Sequence, residues 1–128
     1  MRAKAEFQRG ANIPMTTDTY ERLSLQLRMA VEALITHPTP DTYNSLTKIM
    51  STLVRCNLVG DPMDLGNDAL SDICDAYEVT GAIAVTDVQA EQLRLAIDSV
   101  DRYLPLVPVN KLKQAMAEVE VFCASVGA

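Results

Sequence analysis

The chain has 128 residues, a length that fits one domain with a hydrophobic core of its own. Its formal net charge of −6, its low aromatic content of 5% and its lack of tryptophan argue against a basic, base-stacking surface on the body of the protein. It contains no run of about 18 apolar residues, so a membrane span is not expected, and three cysteines without a CxxC spacing predict reduced thiols and a cytoplasmic location.

The charges are distributed unevenly along the chain. Residues 61–101 hold ten of the seventeen carboxylates and a single basic residue, Arg94, which gives this stretch a formal charge of −9. The remainder of the chain carries ten basic and seven acidic residues. The acidic stretch is therefore the feature on which a partner hypothesis depends.

Residues 1–16 are predicted to form a flexible basic N-terminal arm, and residues 17–128 a single helical-bundle domain. The arm lacks a sustained apolar period and contains the breakers Gly10 and Pro14. Its basic residues could contact a nucleic-acid backbone, and they are Arg2, Lys4 and Arg9.

Two helices are expected over residues 18–36 and 40–57. Asp18 and Glu21 have the spacing of a capping box, and Thr39 followed by Pro40 is typical of the start of the second helix. Few residues separate the two helices, so they should be antiparallel neighbours.

Residues 60–67 are predicted to be a loop because they combine glycine, proline, aspartate and asparagine. Asp61, Gly66 and Asp72 match the first, sixth and twelfth places of a calcium-binding loop. Met63 and Leu65 occupy the third and fifth places, where oxygen ligands are needed, so calcium binding is not expected.

A third helix over residues 67–79 and a fourth over residues 86–103 follow. Both are amphipathic, and their outer sides are rich in carboxylates. We expect these carboxylates to form one acidic face, made of Asp68, Asp72, Asp75, Asp87, Glu91, Asp98 and Asp101. Arg94 lies among them, three residues after Glu91 and four before Asp98, where it should reduce their repulsion.

The last helix is expected over residues 109–126 and has the most regular heptad spacing in the chain. Together with the apolar connection before it, this helix offers more apolar surface than one small protomer needs. We therefore predict a homo-oligomer, most simply a twofold dimer, whose interface comprises Leu104, Leu106, Val109, Leu112, Met116 and Val119. The predicted fold class is all-α, an up-and-down bundle of five helices.

The sequence contains no recognisable catalytic motif. His37 is the only histidine, there is no zinc-binding spacing, and no Glu-x-x-His motif or glycine-rich phosphate loop occurs. We expect no enzyme activity, no metal site and no cofactor.

These observations favour an interaction or regulatory protein that binds a basic protein partner through its acidic face. In a sharper form of this hypothesis the face mimics a DNA backbone and inhibits a DNA-binding protein. The alternative is a dimeric DNA-associated regulator that uses the basic arm. An apolar ligand pocket lined by Met29, Met50 and Met116 is a further hypothesis.

Overall fold

A computed structural model describes residues 12–58 and 60–125, and every regular element in these ranges is helical. The elements in chain order are α1 (Thr17–Thr36), α2 (Pro40–Arg55), α3 (Asp61–Thr80), α4 (Asp87–Tyr103), a short 3₁₀ turn (Leu104–Leu106) and α5 (Val109–Ser125). The predicted all-α bundle of five helices is confirmed.

Threonine side chains begin three of the helices. Thr39 accepts a hydrogen bond from the Thr42 amide, and Thr86 accepts one from the Gln89 amide, so both helices start with a capping box. The capping box predicted at Asp18 is wrong, because the N-cap of α1 lies two residues earlier, at Thr16, whose side chain accepts from the Thr19 amide at 3.2 Å.

The loop predicted over residues 60–67 is wrong, because α3 already begins at Asp61. Pro62 lies in the first turn, where its missing N–H has no partner to lose. Gly60 precedes the helix with a φ of 134°, a conformation that glycine adopts freely. Gly66 lies inside the helix and faces α4, where a larger side chain would meet Ala96.

Consecutive helices pack on one another from α1 to α4, and α4 returns to contact α1. These four helices enclose the main core, which includes Leu34, Leu46, Ile73 and Leu93, each with no exposed surface. The 3₁₀ turn contacts α1 and α4, and it leads the chain away so that α5 packs on α2 and on no other helix. The last helix is therefore attached along one side only.

Residues 12–16 are extended and attached to the start of α5. The Ile13 amide donates to Asn110 Oδ1 at 2.9 Å, and the Ile13 carbonyl accepts from the Val109 amide at 2.8 Å. Met15 packs against the core. The last residues of the predicted arm thus contact the bundle, while Arg2, Lys4 and Arg9 lie outside the described ranges, and the boundary at residue 16 stays a prediction.

No helix within residues 12–58 or 60–125 combines the length and the apolar character needed to span a bilayer.

Candidate interaction surface

One side of α3 carries an unbroken series of carboxylates. They follow one another at intervals of three or four residues, which places them along one stripe of the helix. We call this set the α3 acidic row, and it consists of Asp61, Asp64, Asp68, Asp72, Asp75 and Glu78. All six are exposed, and at a rise of about 1.5 Å per residue they extend over about 26 Å of the helix.

The opposite side of α3 explains why this stripe faces solvent. Its buried residues are small or apolar, and they pack on α2 and α4. They are Met63, Gly66, Ala69, Leu70 and Ile73. The sequence of α3 thus divides cleanly into a core side and a charged side.

Nothing within α3 balances this charge, because the helix contains no basic residue. The macrodipole favours Asp61 and Asp64 in the first turn, but it disfavours carboxylates such as Glu78 near the C-terminus. None of the ion pairs formed among the described residues includes a member of the α3 acidic row. Among the described residues, the row therefore presents negative charge that no ion pair compensates.

The carboxylates of α4 have a different environment. Arg28 of α1 donates to Asp98 at 3.2 Å and also to Asp101, and Ser24 donates to Asp101 at 2.6 Å. Burial disfavours the charge on Asp101, but the hydrogen bonds from Ser24 and Arg28 and the positive charge of Arg28 outweigh it and lower the pKa of this carboxyl. Both carboxylates hold α4 against α1.

Arg94 of α4 also bridges to α1. Its Nε and Nη2 atoms donate to the two carboxylate oxygens of Glu32 at 3.2 and 2.8 Å, which is the bidentate geometry that a guanidinium group favours. This hydrogen bonding raises the pKa of Arg94. In addition to its charge interaction with Glu91, Arg94 thus makes a contact with a residue 62 positions away in sequence.

The two bridges form one pattern. Arg28 and Glu32 are four residues apart on α1, and Arg94 and Asp98 are four residues apart on α4. In an antiparallel pair the order reverses, so each arginine meets a carboxylate. This complementarity is visible in the sequence only once α1 and α4 are known to be neighbours.

The seven residues of the predicted acidic face fall into two groups on neighbouring helices, and their use as one face stays a prediction. Asp98 and Asp101 contact α1, and Asp87 and Glu91 follow the same stripe of α4 while remaining exposed. The remaining three members, Asp68, Asp72 and Asp75, lie on α3, which makes no contact with α1. The structure extends this second group to the whole α3 acidic row, because the helix begins six residues earlier than predicted.

The predicted oligomer interface stays a prediction, although three of its six residues already pack inside the protomer. Leu104, Leu112 and Val119 are buried within the protomer, with Leu104 only 2% exposed. Val109 is half-buried. Leu106 and Met116 remain available, with exposed fractions of 76% and 49%.

Two other reactive side chains, those of Cys56 and Tyr43, are partly buried within the bundle. Burial, and then the nearby Glu118, raise the pKa of the Cys56 thiol, which makes it a poorer nucleophile. The Tyr43 hydroxyl donates to the Leu70 carbonyl at 3.0 Å, and burial followed by the proximity of Cys74 raises its pKa. Within the described residues no three His, Cys, Asp or Glu side chains are grouped so that they could hold a metal ion.

A cavity of about 180 Å³ lies among α1, α2 and α5. Its lining is mostly apolar and includes Met116. The methionine pocket predicted from the sequence is wrong in its other two residues, because Met50 is buried away from this cavity and Met29 is exposed on α1.

Comparison of the chain with protein-family models, with curated proteins and with solved structures gives no match. The function is therefore inferred from the surfaces described above.

Proposed function

We propose that the protein is a non-enzymatic interaction protein that binds a basic protein partner through the α3 acidic row. The observation that carries the proposal is the contrast between two neighbouring helices. On α4, Asp98 and Asp101 are compensated by Arg28, whereas the six carboxylates of the row are exposed and make no ion pair with any described residue.

The row suits recognition of an extended cationic surface. Carboxylates three or four residues apart on a helix are spaced by about 5–6 Å, so a partner with arginines or lysines in a similar series could pair with several of them. Such a field accelerates encounter and selects the partner more than it adds affinity. Binding should weaken as salt shortens the Debye length below about 10 Å.

An inhibitory role, in which the row occupies the nucleic-acid site of its partner, rests on the same residues. This form of the proposal now depends on α3 alone, because Asp98 and Asp101 are engaged with α1. The alternative DNA-associated regulator would use Arg2, Lys4 and Arg9, which lie outside the described ranges, and no structural observation supports it.

The test is capture of partners from an extract of the source cells at low and at high salt. Three baits are compared: the wild type, an α3 variant with Asp68→Asn, Asp72→Asn and Asp75→Asn, and a control variant with Glu21→Gln, Asp41→Asn and Glu120→Gln. The control removes the same number of negative charges from exposed positions outside α3.

We expect one set of basic proteins to be retained at low salt by the wild type and by the control, and to be lost from the α3 variant. Equal retention by the α3 variant and the control would contradict the proposal, as would retention that does not change with salt. Circular dichroism of all three proteins establishes that each is folded.

A further inference from the structure

The cavity beside α5 arises from the way the last helix is attached. Both α1 and α5 pack on α2, but no Cα atom of α1 lies within 8 Å of one in α5, so a space remains between them. Leu104 of the 3₁₀ turn completes the lining. The volume is about 180 Å³.

The chemistry of the lining is predominantly apolar. Eight of the twelve residues that line the cavity are aliphatic or methionine, and they include Leu27, Leu112 and Met116. Thr52 is the buried polar residue of the lining, and its hydroxyl donates to the Lys48 carbonyl at 2.9 Å. The Thr52 hydroxyl proton is therefore already hydrogen-bonded within α2, so the cavity is suited to an apolar ligand.

Two charged residues of opposite sign contribute to the lining. Lys48 belongs to α2 and Glu120 to α5, and they do not form an ion pair with each other. Their charges sum to zero at neutral pH, so the site offers no net attraction to an anion or a cation. This balance favours a neutral occupant.

We propose that this cavity is a binding site for a small neutral apolar molecule of about the size of one aromatic ring. An engineered cavity of about 150 Å³ lined by similar side chains binds benzene, so the present volume is sufficient for a ring with a short substituent. The occupant would contact α1, α2 and α5 together. It would thereby join α5 to α1, two helices whose Cα atoms do not approach within 8 Å of each other.

The probe for this proposal is toluene, with benzoate and benzylamine as its charged analogues. Binding is followed on the full chain by methyl chemical shifts in NMR and by the thermal midpoint of unfolding. In Met116→Trp the larger side chain should fill the cavity from its opening. Because Met116 is 49% exposed, the variant should still fold. Met29→Trp makes the same exchange at an exposed position of α1 outside the lining.

We expect saturable shifts for the methyl groups of Leu27, Leu112 and their neighbours, together with a rise in the midpoint. Affinity should fall by at least about tenfold in Met116→Trp, as when a hydrophobic pocket loses space for its ligand, and remain unchanged in Met29→Trp. Absence of saturation, or equal affinity in the two variants, would overturn the proposal. Tighter binding of benzoate or benzylamine than of toluene would overturn the neutral class.

Discussion

A Cβ atom added to Gly66 of α3 would lie 2.7 Å from the Cβ of Ala96 on α4, closer than side-chain carbons approach in folded proteins. The same atom would also meet the Met50 Cε at 3.2 Å. Glycine inside a helix costs about 1 kcal/mol relative to alanine, so its presence at this position reflects the close contact between the two helices. That contact fixes α3, and with it the direction in which the acidic row faces.

Gly66→Ala should therefore destabilise the protein although alanine is the better helix former. Overpacking costs about 1–3 kcal/mol, and the gain in helix propensity returns at most about 1 kcal/mol. We expect a net loss of about 1–2 kcal/mol in the free energy of unfolding, measured by urea denaturation.

The matched test is the double variant Gly66→Ala, Ala96→Gly, which moves the methyl group from one helix to the other. If the close approach is the cause, the two changes should be coupled, and the double variant should be more stable than the sum of the single effects implies. Strict additivity would contradict the steric explanation.

The start of α3 shows where sequence reasoning reached its limit. Caps and apolar periods located the other helices, because these signals depend on residues close in sequence. Pro62 and Gly66 are typical of loops, yet proline is tolerated in the first turn of a helix. Gly66 is required because Ala96 of α4 packs against it and leaves no room for a side chain. The need for glycine at this position comes from a tertiary contact, so it cannot be predicted from the residues next to it in sequence.

The pairing of Asp98 and Asp101 with α1 could not be predicted from the sequence for a similar reason. A helical wheel shows which carboxylates leave the core, but it does not show which of them meet a basic residue from elsewhere. Arg28 reaches Asp98 and Asp101 across 70 and 73 residues of sequence. The helical pattern alone does not distinguish the carboxylates of α3 from those of α4. They differ in the structure because Arg28 of α1 pairs with Asp98 and Asp101 of α4.

Asp101→Asn should weaken the attachment of α4 to α1. The Asp101 side chain is 18% exposed and receives hydrogen bonds from both Ser24 and Arg28, whereas Arg28 itself is 45% exposed and partly screened by water. We expect a loss of about 1–2 kcal/mol in the free energy of unfolding, near the lower end for bonds to a charged group. Asp72→Asn, on the exposed side of α3, should change it by less than about 0.5 kcal/mol. Equal effects would contradict the assignment.

The contribution of Asp101 should also depend on pH. Its pKa in the folded protein is lowered from the ordinary 3.8, since the bonds from Ser24 and Arg28 outweigh burial. A carboxyl with a depressed folded pKa stabilises the fold fully above its unfolded pKa, and this stabilisation is lost as pH falls through the folded value. The stability difference between wild type and Asp101→Asn should thus be constant near neutrality and shrink below about pH 4. A difference that grew on acidification would contradict this sign.

The twofold dimer predicted from the heptad spacing of α5 stays a prediction, with a smaller interface. Burial of Leu104, Leu112 and Val119 inside the protomer leaves Leu106 as the most exposed of the six residues proposed for it. Leu106→Ser should shift a dimer toward monomer in sedimentation at micromolar concentration, because it removes a large apolar side chain from the contact. Val79→Ser, at an 87% exposed position of α3, is the control and should leave the association unchanged. A wild-type protein that sediments as a monomer would show that the apolar spacing of α5 serves only its packing against α2.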